Sequence, residues 1–136
     1  MHKGFLLVAS VLGALSVGLG AFGAHGLKKV VPAETVASFE TAVRYQFYHV
    51  FALLAVAVVY EKFPERWLRY AGNCFIIGII LFSGSLYLLT TMKATGSIGI
   101  SGIGIITPVG GLFFMAGWLL LFFALLKNRR KKTGAL

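Results

Sequence analysis

The chain has 136 residues, 58% hydrophobic and only 12% charged, with a mean hydropathy of +0.86; a soluble domain carries about 25% charged residues, so too little polar surface exists here to cover a water-soluble globule. Its length allows one domain. The net charge of +9 is concentrated in Lys127, Arg129, Arg130, Lys131 and Lys132, directly after an apolar run, which is the placement of a cytoplasmic membrane flank and argues against nucleic acid as a partner.

The first apolar segment, about 4–24, carries no charge. Met1-His-Lys3 and Ala21-Phe-Gly23 loosely fit a signal peptide, but the apolar run exceeds a usual signal core, and a retained helix is expected. The second segment is predicted over 33–62. Pro32-Ala-Glu34 opens it with a proline and an acid where both are favoured, and no glycine or proline interrupts 33–63. Thirty residues make a helix about 45 Å long, more than the hydrocarbon thickness, so its first turns belong in the headgroup zone. The third segment is predicted over 67–92. It contains Cys74, the single cysteine, which excludes an intrachain disulfide and reads as a small buried hydrophobe. The fourth is predicted over 106–127 and is followed by a basic tail, 127–136.

Each segment is near the ~20 residues needed to cross a bilayer as a helix, where backbone groups must be satisfied internally. The expected fold is therefore an all-α integral membrane bundle of four transmembrane helices. The stretch Ala94 to Gly111, with Gly96, Gly99, Gly102, Gly104, Gly110 and Gly111 among isoleucines, is expected as a glycine-rich outer loop between the third and fourth helices, with Pro108 in the first turn of the fourth. An even number of crossings puts both termini on one side. That side collects Lys3, Lys62, Arg66, Arg69 and the C-terminal bases, so both termini are expected in the cytoplasm.

Small residues recur every seven positions in three segments: Ala9-Ser16-Gly23, Ala71-Gly78-Ser85 and Gly110-Gly117-Ala124. Such a period implies a left-handed bundle, and small residues permit the close backbone approach that drives association in lipid. Phe113, Phe114, Trp118, Phe122 and Phe123 are expected to face lipid or fill gaps.

Polar residues enter the second segment at Glu40-Thr-Ala-Val-Arg44-Tyr-Gln46-Phe-Tyr48-His49. Ionisable groups are expensive at bilayer depth and tend to be functional or paired. Glu40 and Arg44, one turn apart, are expected to form an ion pair. Counting about 1.5 Å per residue inward from Tyr60, His49 lies about 16 Å deep and Arg44 about 24 Å. Ser83, Ser85 and Tyr87 on the third helix, Thr107 at the start of the fourth and His25 at the end of the first reach similar levels. A polar pocket in the outer half of the bundle is therefore expected from His25, Glu40, Arg44, Gln46, His49, Ser83, Ser85, Tyr87 and Thr107. No compact metal-ligand spacing is present, and no metal or other cofactor is expected. Gly18-Leu-Gly-Ala-Phe-Gly23 matches a dinucleotide-binding glycine pattern formally, but it lies within a membrane span, which excludes that reading.

Taken together, Gly20-Ala-Phe-Gly-Ala-His25-Gly26-Leu27, the Glu40 to His49 stretch, Leu81-Phe-Ser-Gly84-Ser85-Leu-Tyr87 and Thr107-Pro-Val-Gly-Gly111 with Gly117-Trp118 resemble the YgdD/YwdK-like bacterial inner-membrane family, domain of unknown function 423, over essentially the whole chain. The resemblance implies a small multi-pass protein of the bacterial plasma membrane and no assigned activity. Three functions follow as expectations. The first is a non-enzymatic binding or accessory membrane component with a polar pocket. The second is a proton or small-solute channel or transporter using Arg44 and His49, and the third a lipid- or quinone-binding membrane enzyme. The expected partners are the bilayer itself and a homo-oligomer or larger membrane complex.

Overall fold

The computed structural model describes residues 1–62, 66–97 and 102–133. Helix α1 is Lys3–His25, followed by a 3₁₀ turn at Leu27–Lys29; α2 is Ala33–Lys62; α3 is Arg66–Gly78, continued through a π-helical turn at Ile79–Ser83 into α4, Gly84–Ala94; α5 is Ile103–Thr133. With α3, the π turn and α4 forming one rod, four helices are long and apolar enough to cross a membrane. This is the expected four-helix membrane bundle. The second helix is unbroken over the full predicted range.

The rods run antiparallel in sequence. At one end the Met1 amino group pairs with Glu61 at 3.7 Å, and the His2 N–H donates to the Ala57 carbonyl. His2 also caps α1, its Nδ1 accepting from the Phe5 N–H, while its ring stacks on Phe5. This end holds the N-terminus and the Lys62, Arg66 and Lys127 region. The opposite, distal end carries the 3₁₀ turn, the start of α2 and the end of α4, where Lys93 approaches Glu34 at 3.7 Å.

Helix α1 packs along α2, α5 packs along α3 and the π turn, and α2 joins the two pairs. Hydrophobic collapse does not drive helix association in lipid; close van der Waals packing does. The seven-residue sets supply it. Ala9, Ser16 and Gly23, Ala71, Gly78 and Ser85, and Gly110, Gly117 and Ala124 are all buried. Large rings fill the grooves that the glycines leave. Phe5 lies where a Gly72 Cβ would stand, Phe114 where a Gly78 Cβ would stand, and Phe75 where one at Gly117 would stand. Gly110 meets backbone, because a Cβ there would strike the Phe82 amide nitrogen. A second, smaller apolar cluster of Leu27, Val31, Val36 and Phe39 closes the distal end between α1 and α2.

Two sequence expectations are corrected. The fourth helix starts at Ile103, so 103–111 is helical and Pro108 lies inside α5. Proline removes a bond to the carbonyl four residues back and crowds it; that residue is Gly104, which has open space around it. The glycines of this stretch suit helix contact as well as turns, since Gly110 is buried against the third rod. At the other end the expected tail begins too early, because α5 continues to Thr133. The centre of the expected loop, 98–101, and the last residues of the tail, 134–136, lie outside the described residues. The α4 end is a Schellman turn. Gly96 takes φ +68°, its N–H bonds the Lys93 carbonyl and the Ser97 N–H bonds the Met92 carbonyl.

Candidate functional site

The structure divides the nine expected site residues into two groups. Gln46, His49, Ser83 and Ser85 are buried and Tyr87 and Thr107 half-buried, whereas His25, Glu40 and Arg44 are exposed.

The inner group is a set of cross-links between rods. Gln46 projects from the middle of α2 and joins three of them. Its Nε2 donates to the Leu12 carbonyl of α1 at 2.9 Å, and its Oε1 accepts from the Tyr87 hydroxyl of α4 at 2.9 Å. The π turn widens the third rod beside α2, and Ser83 at its end donates to the Ala42 carbonyl at 2.7 Å. Ser85 donates to the Phe82 carbonyl, so the 2.6 Å contact with Thr107 is donated by the threonine hydroxyl.

His49 links α2 to α5. Its Nδ1 lies 2.7 Å from the Tyr45 carbonyl, and the Trp118 Nε1–H donates to its Nε2 at 3.3 Å. Tryptophan nitrogen can only donate, so Nε2 is the acceptor and Nδ1 carries the proton. Both ring nitrogens of the neutral histidine are thus engaged, and the ring stacks face to face on Phe114 with centroids 3.5 Å apart. Sequence reasoning missed Trp118, 69 positions away, and placed it among the lipid-facing or gap-filling aromatics. The Leu12 carbonyl was missed as well, since no side chain marks it.

The outer group behaves differently. Among the described residues the His25 ring hydrogen-bonds only the Ala21 carbonyl of its own helix, at 3.1 Å. Glu40 and Arg44 form no ion pair with each other; the ion pairs among the described residues are Met1–Glu61 and Lys93–Glu34. This corrects the expected pairing. An exposed i,i+4 pair is worth about 0.3–0.5 kcal/mol, too little to hold two long side chains together. The expected single pocket is likewise replaced by two zones, since the inner six residues line none of the described surface hollows. The hollow nearest the outer group, about 370 Å³, is lined by Lys28, Val31, Ala33, Val36, Ala37 and Glu40. Among the described residues no three His, Cys, Asp or Glu side chains stand close enough to hold a metal ion.

The family described as "Protein of unknown function (DUF423)" matches residues 19–111, a range that contains all nine expected site residues but not Leu12, Phe114 or Trp118. The chain belongs to this family. Among its relatives, "UPF0382 membrane protein SH2409" of Staphylococcus haemolyticus is 38% identical over 125 residues, covering 92% of this chain and 97% of the relative. "UPF0382 membrane protein YwdK" of Bacillus subtilis is 37% identical over 132 residues, covering 92% and 98%. "UPF0382 inner membrane protein YgdD" of Escherichia coli K12 is 35% identical over 132 residues, covering 96% of each. No solved structure matches the chain. The family carries no stated activity, which leaves the geometry to argue function.

Proposed function

We propose that this chain is a non-enzymatic accessory component of the bacterial inner membrane, both termini cytoplasmic, that works through contacts made on its outer surface and not by moving solutes through its interior. The membrane assignment draws on the four apolar rods and on the printed name of the Escherichia coli relative. The orientation draws on the basic residues collected at the end bearing both termini.

One observation carries the reading: among the described residues, every buried polar side chain has a partner within the protein. Ser16, Thr35, Gln46, His49, Ser83, Ser85 and Thr90 each have a hydrogen-bond partner. A proton relay or solute path needs groups free to exchange partners along a wet route. His49 would have to give up Trp118 to accept a proton, and Arg44 lies on the exposed side of α2, apart from it. Both facts weigh against a channel or transporter built on that pair. The same saturation weighs against a quinone or lipid reaction centre at His49.

The test is flux. The full chain reconstituted in vesicles is expected to pass protons and small ions no faster than empty vesicles, and His49→Ala is expected to lower thermal stability without altering that baseline. Flux above empty vesicles that His49→Ala abolishes would establish the transporter reading instead.

A further inference from the structure

At the distal end, Lys28, Glu40 and Arg44 are exposed, and none of them takes part in an ion pair or side-chain hydrogen bond among the described residues. Lys28 and Glu40 nevertheless line the same hollow, whose remaining walls are Val31, Ala33, Val36 and Ala37. Its volume of about 370 Å³ falls within the about 300–1,000 Å³ of small-molecule sites. The hollow therefore presents an apolar floor with one cation and one anion at its rim. A neighbouring hollow of similar size contains Glu34 and Lys93, which pair with each other at 3.7 Å.

Depth gives the charges an order. Glu40 lies nearer the start of α2 and Arg44 one turn further along, about 6 Å deeper at 1.5 Å per residue. Along the exposed face of α2, beneath Lys28 of the 3₁₀ turn, an anion is followed inward by a cation. A phospholipid with an amino-alcohol head offers the complementary sequence, an ammonium outermost and a phosphate beneath it, joined by two carbons. That order holds whichever leaflet this end occupies.

We propose that the hollow is a binding site for a phospholipid whose head carries a primary ammonium, of the phosphatidylethanolamine class. Its phosphate is held by Arg44, which lies one turn deeper on α2, just beyond the residues that line the hollow, its ammonium by Glu40, and its methylene and glycerol carbons lie on Val31, Val36 and Ala37. A carboxylate can accept N–H bonds from a primary ammonium; a trimethylammonium head has no such donor. An anionic head lacking the ammonium leaves Glu40 facing like charge. Arginine suits the phosphate, with its fixed fork of donors. This inference rests on the surface-contact reading above and names its ligand.

The test is lipid retention by the full chain. The protein is purified in mild detergent with equal amounts of phosphatidylethanolamine, phosphatidylcholine and phosphatidylglycerol of matched acyl chains, and bound lipid is read by native mass spectrometry. The wild type is expected to retain phosphatidylethanolamine about three- to fivefold over the other two, the scale of one interfacial ion pair. Glu40→Gln should bring phosphatidylethanolamine and phosphatidylcholine to parity, and Glu40→Asp should keep much of the preference. Arg44→Gln should lower retention of all three. These side chains are exposed, so unchanged melting temperatures will separate lost binding from lost folding. Equal retention of phosphatidylethanolamine and phosphatidylcholine by the wild type overturns the proposal. So does a preference for phosphatidylglycerol that ignores Glu40→Gln, which would leave only basic attraction. A lipid-free dimer that disappears in Glu40→Gln would make a second copy of the chain the occupant. The flux measurement stands apart from all of these and decides the preceding reading alone.

Discussion

The middle of the bundle and the distal flank of α2 treat polar side chains in opposite ways. Inside, Gln46, Ser83, Ser85, Tyr87 and Thr107 are bonded across helices, and His49 has both nitrogens occupied. On the flank, Glu40 and Arg44 lie one turn apart on the same helix and bond nothing among the described residues. Within hydrocarbon an unmet polar group has no water to turn to, so it is met by protein. At the surface, headgroups and water are available, and a charge can be kept for them. One helix thus carries a structural polar set on its buried face and an interaction set on its exposed face. High polar content in a membrane span does not by itself separate the two; partnership does.

The contrast can be broken or sharpened by substitution. Packing should give the largest effect. Gly110→Val drives a branched side chain into the Phe82 backbone and is expected to destabilise by about 2–3 kcal/mol, measured as a fall in melting temperature in detergent. Next comes Gln46→Leu, which strips α1 and α4 of a shared partner. A loss of about 1–2 kcal/mol is expected, and a double-mutant cycle with Tyr87→Phe should show coupling of roughly 0.5–1.5 kcal/mol. Additivity in that cycle would mean the cross-link is geometrically present and energetically idle. Trp118→Phe removes the donor to His49 Nε2 and trims the ring that packs on Phe75; a cost of about 1 kcal/mol is expected, near the usual range for interhelical bonds in membranes. Smallest are Glu40→Gln and Arg44→Gln, expected within about 0.5 kcal/mol of wild-type stability. If either of these destabilised as much as Gln46→Leu, the flank would be structural and the comparison would fail.

Much of the architecture could be read from hydropathy and a seven-residue period. Four apolar runs set four rods, and all three small-residue sets proved buried, because close packing in lipid demands small side chains where backbones meet. The start of α5 could not be read so well. Glycine-rich composition signals a turn in water, but in this stretch Gly110 serves the approach to Phe82. The π turn at Ile79–Ser83 left no mark either, since Ile-Ile-Leu-Phe-Ser is an ordinary apolar sequence; its widening is visible only where Ser83 meets the Ala42 carbonyl. For the site, the hydrogen bonds Gln46–Tyr87 and Ser85–Thr107 join residues that counting along the helices puts at similar levels. Such counting could not say which way each side chain turned around its helix. That angular coordinate sends Glu40 and Arg44 outward and Gln46 inward, although all three are within seven positions.

The reach of Gln46 also has a consequence for biosynthesis. The chain emerges from the ribosome with α1 and α2 first, and within that hairpin the amide nitrogen of Gln46 can already find the Leu12 carbonyl. Its oxygen must wait for Tyr87, 41 positions further on. Until the later rods are synthesised, the nascent hairpin lacks the donors for Gln46 Oε1 and for His49 Nε2, and acceptors unmet in a bilayer favour docking of the segments that supply them.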